Sequence, residues 1–85
     1  MNVGIIWTKP AVKALDRLDA ATRRRVFDAL TRFAESGHGD VKMLKGVDDE
    51  WRLRVGTWRI RFSWQHEPRA LVVFDVRARG AAYRP

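Results

Sequence analysis

Four arginines stand within the twelve residues "WRLRVGTWRIRF" (51–62): Arg52, Arg54, Arg59 and Arg61, with no acid among them. A guanidinium is a planar fork of donors that stays protonated at physiological pH, and it grips the oxygens of phosphate or carboxylate two at a time. The chemistry offered is recognition of an anion and stabilisation of negative charge. It is poor chemistry for taking a proton, because the group is already protonated and has no acceptor site. A second set follows in "VRARGAAYRP" (76–85), where Arg77, Arg79 and Tyr83 could extend the same surface. A tyrosine among arginines could stack on a base or take part in proton transfer, or it could simply lid the core.

The charge balance points the same way. The chain has 85 residues and a formal net charge of +7, spread unevenly. Residues 1–50 hold nine Lys/Arg against eight Asp/Glu, whereas residues 51–85 hold eight arginines against Glu67 and Asp75. An excess this local suits a polyanionic partner, either nucleic acid or an acidic protein segment. There is no cysteine, and His38 and His66 lie far apart, so no metal site and no cofactor are expected. His66 falls in an expected loop and is given no catalytic role. No apolar run approaches the length of a membrane span, and "MNVGIIWTK" lacks the pattern of a signal peptide, so a cytoplasmic protein is expected.

The arginines need a frame. "VGIIW" (3–7) reads as a short strand. Thr8 can cap a helix with Pro10 in its first turn, and Ala11, Val12, Ala14, Leu15 and Leu18 form its apolar stripe. Asp19 caps a second helix over 20–36, with Val26, Phe27, Leu30, Phe33 and Ala34 at helical spacing and Gly37 as its stop. The short join between the helices implies an antiparallel hairpin. "VKMLKG" reads as a short extended piece and "VDDE" as a turn. The period then changes to two, giving strands over 51–55, 58–64 and 70–76, with "QHEPR" as a longer hairpin loop. "ALVVFDV" is apolar nearly throughout and suits an interior strand. The fold class is α+β: one domain, a helical hairpin on a mostly antiparallel sheet of three to four strands.

Gly56-Thr57 fits a two-residue turn of type II′, which sets the pairing. Val55 then faces Trp58, Arg54 faces Arg59, Leu53 faces Ile60 and Arg52 faces Arg61. Because strand side chains alternate, Trp51, Leu53, Val55, Trp58, Ile60 and Phe62 share one face and the four arginines share the other. Like charges directly opposite each other cost about 0.2–1 kcal/mol per pair. Folding alone supplies no reason for two such pairs; an anion completing them would. Alternatively, the arginine stems cover apolar surface while their heads reach water.

Three motifs together resemble the RelE/ParE superfamily of bacterial and archaeal toxins from type II toxin–antitoxin pairs. They are "K-x-L-x-G" at Lys42 to Gly46, "R-L-R-V-G-x-W-R" at Arg52 to Arg59, and "V-x-x-R-x-x-x-Y-R" at Val76 to Arg84. The resemblance covers essentially the whole chain and implies the order β-α-α-β-β-β. For the RelE branch it implies an mRNA endoribonuclease working in the ribosomal A site. There the 2′-hydroxyl of a nucleotide attacks the adjacent phosphate, leaving a 2′,3′-cyclic phosphate and a 5′-hydroxyl. The alternating basic positions of that branch match Arg52 and Arg54, the return-strand position matches Arg59, the post-strand arginine matches Arg79 (with Arg77 as the other candidate), and the tyrosine matches Tyr83. The expected catalytic set is Arg54, Arg59, Arg79 and Tyr83, and the expected RNA-binding set is Arg52, Arg61, Arg77 and Lys45. Arg61 enters by register and not by a family position. Some members carry lysine where this chain has Arg52 and Arg54, so the proton must go to Tyr83, a ribosomal RNA group or water. The implied partners are a cognate antitoxin, the ribosome and mRNA. The ParE branch implies inhibition of DNA gyrase without RNA cleavage, and a third reading is a degenerate toxin that keeps only antitoxin binding. The run Arg23, Arg24, Arg25 is either a ribosomal RNA contact or a solvated helix face.

Overall fold

Thr8 shows how local chemistry starts the fold. Its Oγ1 accepts from the Ala11 amide at 3.4 Å and donates to the Val73 carbonyl at 2.9 Å, so one hydroxyl caps a helix and ties it to a strand 65 residues away. The elements run β1 (Gly4–Trp7), α1 (Lys9–Asp16), α2 (Ala20–Ser36), β2 (Asp40–Met43), β3 (Trp51–Val55), β4 (Trp58–His66) and β5 (Arg69–Ala78). This computed structural model describes residues 2–44 and 49–78. Lys45, Arg79 and Tyr83 lie outside the described residues.

Asp19 holds the extended N-cap conformation ahead of α2 without a capping hydrogen bond from its side chain. Gly37 ends α2 in the left-handed region at φ 79°, its N–H donating to the Phe33 carbonyl at 2.8 Å.

The sheet has five strands in the order β1-β5-β4-β3-β2 and is mixed. It therefore exceeds the three to four strands expected. The extended piece near "VKM" adds an antiparallel edge strand, and β1 joins the other edge parallel to β5, with Gly4 to Trp7 opposite Ala70 to Val73. An isolated edge segment has no local signature of its partner, because its ladder closes through distant residues. The loop expected over "QHEPR" is also shorter. Gln65 pairs with Ala70 and His66 with Arg69, so the ladder runs on to a two-residue turn at Glu67-Pro68, closed by Gln65 Nε2 donating to the Pro68 carbonyl at 2.8 Å.

Both helices cover one face. Ala11, Leu18, Val26, Leu30, Phe33 and Ala34 meet Leu53, Ile60, Phe62, Leu71, Val73 and Val76 in one buried cluster. Burying an aliphatic or aromatic side chain contributes about 1.5–3 kcal/mol. Two positions expected in the helical stripes point outward instead: Val12 and Phe27 are exposed, the latter stacked on Trp7 with ring centroids 6.0 Å apart. Among the described residues no helix is long and apolar enough to cross a membrane.

Candidate nucleic-acid interface

The hairpin closes as its sequence implies. Gly56 takes φ 58°, Thr57 stays out of the positive-φ region, and the pairs are Val55–Trp58, Arg54–Arg59, Leu53–Ile60 and Arg52–Arg61. Leu53, Ile60 and Phe62 are buried beneath the helices. The arginines consequently occupy the opposite face.

Neighbouring strands extend this face into two cross-strand rows. One row reads Asp40 (β2), Arg54 (β3), Arg59 (β4), Arg77 (β5). The other reads Lys42, Arg52, Arg61, Asp75 in the same strand order. Strands lie about 4.8 Å apart, so the backbone positions of Arg54, Arg59 and Arg77 span about 10 Å. The register shift between Arg61 and Phe62 passes over Phe74, which is left out of the cross-strand pairing, and the Arg61 guanidinium lies over the Phe74 ring, 5.4 Å from its centroid.

Acids absent from the hairpin arrive from elsewhere, which corrects the view of an arginine cluster lacking any counterion. Asp40 binds Arg54 Nε through Oδ2 at 3.1 Å and Arg52 Nη1 through Oδ1 at 3.4 Å. Arg61 donates to Glu50, which is buried, and lies 3.8 Å from Asp75 Oδ2. Asp75 Oδ2 also accepts from Arg77 Nε at 2.9 Å. Five arginines and Lys42 meet three carboxylates, leaving three positive charges in excess. The surface is thus partly self-neutralised and still an attractive field for a polyanion.

The braces differ in kind. Arg61 is sunk among Glu50, Asp75 and Phe74, where its first task is to neutralise a buried carboxylate. Arg54 and Arg77 reach solvent, with about half of the Arg77 side chain exposed. Arg59 stands in the middle of its row, with an arginine opposite it on each side. Between α1, Trp58 at the start of β4 and the C-terminal end of β5 lies a groove of about 580 Å³ whose walls include Lys13, Arg17 and Arg77.

Asp40, Glu50 and Asp75 were not among the site residues expected from sequence. Asp75 does leave a trace, being the single charge inside the apolar run "ALVVFDV". The α2 arginines also gain structural tasks: Arg23 donates to the Leu15 and Leu18 carbonyls at 3.2 and 2.9 Å, closing the end of α1. Arg24 pairs with Asp28 at 3.4 Å. A Cβ at Gly56 would lie 2.8 Å from Arg25 Nη2, which places Arg25 against the hairpin tip. Among the described residues no cluster of His, Cys, Asp or Glu could hold a metal ion.

A mixed sheet carrying two helices on one face and a basic opposite face defines the RelE-like toxin fold. The family model for the ParE toxin of type II toxin–antitoxin systems matches residues 5–83, and the chain belongs to that family, within the RelE/ParE superfamily. Its fold is similar to RelE in the archaeal RelE–RelB complex from Pyrococcus horikoshii, with 26% identity, a TM-score of 0.76, and 94% of this chain and 98% of that chain covered. It is also similar to a mutant of the E. coli toxin RelE in the free state, with 21% identity, a TM-score of 0.76, and 98% and 88% covered. A YoeB/ParE toxin from Agrobacterium tumefaciens gives 19% identity, a TM-score of 0.75, and 89% and 98% covered. No curated protein matches by sequence.

Proposed function

We propose that this toxin is a ribosome-dependent mRNA endoribonuclease that blocks translation. The observation carrying the reading is the row Arg54–Arg59–Arg77, three guanidiniums on adjacent strands of a rigid sheet. In the reaction, O2′ of one nucleotide bonds to the adjacent phosphorus, the P–O5′ bond breaks, and the 2′-hydroxyl proton passes to a base while O5′ gains one. The phosphorane carries more negative charge than the ground state. Donors aimed at that charge accelerate the step by about 2.7–4 kcal/mol each, on the scale known for an oxyanion-hole donor. Arg54 and Arg59 are assigned this task, joined by Arg79. Arg52, Arg77 and Lys45 hold the RNA backbone, while Arg61 acts on RNA through the position it gives Asp75 and Arg77. Tyr83 serves as base or as stacking platform. The arginines orient and stabilise but do not accept the proton, so the ribosome must complete the site, and the purified toxin cuts free RNA poorly. Its place of work is then the cytoplasm.

A cognate antitoxin is the second partner. RelE-fold neighbours include a RelB-RelE antitoxin-toxin complex from Methanococcus jannaschii and the intact E. coli RelBE toxin–antitoxin complex. Primer extension on translated mRNA after induction tests the activity: cuts inside codons at the A site support it, and intact mRNA overturns it. The match to a family described by ParE favours a second reading, gyrase inhibition without RNA cleavage. Intact mRNA with a DNA-damage response is its signature. Intact mRNA with neither response marks a degenerate, antitoxin-binding form.

A further inference from the structure

The Asp40 carboxylate already sits on the arginine face as a bound phosphate would. Its two oxygens contact two different guanidiniums, Oδ2 on Arg54 Nε at 3.1 Å and Oδ1 on Arg52 Nη1 at 3.4 Å. A phosphodiester also offers two equivalent non-bridging oxygens and is gripped by guanidinium forks in the same manner. Arg52 is anchored, its side chain 11% exposed and its Nη1 also donating to the Asp40 carbonyl at 3.2 Å. The Asp40 carboxylate is instead half exposed, on the outermost strand. Exposed ion pairs are weak, so a rotation of this side chain would open the pair of guanidiniums at little cost. Asp75 and Glu50 are largely enclosed and cannot leave as readily.

We propose that Arg52 and Arg54 form a subsite for one phosphodiester of a single RNA strand, and that Asp40 is its resident occupant, displaced when RNA binds. Asp40 thereby sets the affinity of the face. The inference rests on the RNA-cleaving reading above and adds a residue to it.

Fluorescence anisotropy of the full chain with a short 2′-O-methyl RNA, which lacks the attacking hydroxyl, tests it. Asp40→Asn should bind about 3- to 10-fold more tightly than the unaltered protein, the scale of one or two exposed ion pairs. Its log–log salt dependence should steepen by up to about 0.7, one further single-strand phosphate contact. Glu67→Gln removes a charge at the remote β4–β5 turn and should leave affinity unchanged. In an Arg54→Ala background the gain from Asp40→Asn should disappear. Asp40→Thr, which suits a strand, carries the same readout if the amide disturbs β2. Unchanged or weaker binding by both Asp40 variants, an equal gain from Glu67→Gln, or a gain that survives Arg54→Ala overturns the subsite while leaving the RNA reading standing. A gain toward a poly-glutamate peptide and none toward RNA assigns the subsite to an acidic protein segment and overturns it as well. If neither the unaltered protein nor any variant binds RNA, alone or on programmed ribosomes, the RNA reading falls and the inference with it.

Discussion

Arg59 stands directly opposite Arg77 across the β4–β5 ladder, and Arg54 faces it across the β3–β4 ladder. With an arginine on each flank, this is the central guanidinium of its row. Arg59→Ala should stay folded, because lost contacts and relieved like-charge repulsion oppose each other, with a stability change within about 1 kcal/mol. Cleavage on programmed ribosomes should fall about 100- to 1,000-fold. Unfolding of this variant in a thermal melt would make the arginine face structural and remove the site assignment.

Arg61 should behave in the opposite way. Glu50 is buried against it, so Arg61→Ala leaves a carboxylate uncompensated. A fully buried broken pair costs about 3–5 kcal/mol, and with Arg61 a quarter exposed about 1–3 kcal/mol is expected. Combining Arg61→Met with Glu50→Leu should recover most of that loss in urea titrations. A single Arg61→Ala variant of parental stability would show that the pair is not a brace.

Arg23 supplies two hydrogen bonds to carbonyls at the end of α1. Arg23→Met keeps the stem and loses the donors, and it should lower stability by about 0.5–1.5 kcal/mol. Toxicity of the correctly folded fraction should persist. Parental stability with lost ribosome binding would instead make this run a ribosomal contact.

Gly56 holds φ 58° at the hairpin tip, where an added Cβ also meets Arg25. Left-handed backbone costs a non-glycine residue about 1–2 kcal/mol. Gly56→Ala should lower Tm by roughly 4–8 °C per kcal/mol for a domain of this size. An unchanged Tm would mean that the turn has another conformation available.

Tyr83→Phe separates two tasks by the hydroxyl alone. Loss of cleavage with retained binding to programmed ribosomes identifies proton transfer; retained cleavage identifies a stacking surface.

Much of this architecture is written in short-range chemistry. Thr8 and Gly37 mark helix limits through their own backbone preferences. Gly56-Thr57 sets a register that alternation then carries outward to Trp51 and Phe62. That is why the shared face of Arg52, Arg54, Arg59 and Arg61 follows from twelve consecutive residues. The chain's own order did not reveal which groups surround those arginines. Asp40, Glu50 and Asp75 reach them only because β2 and β5 flank the hairpin and because Glu50, next to β3, is buried against Arg61. Pairing across a sheet joins residues far apart along the chain, and no local preference encodes the partner. For the same reason Phe27 stacks on Trp7 outside the core, and β1 pairs with β5 more than sixty residues further along the chain. Local rules determined where the positive charges point; the tertiary fold decided which of them are braced by carboxylates and which reach solvent.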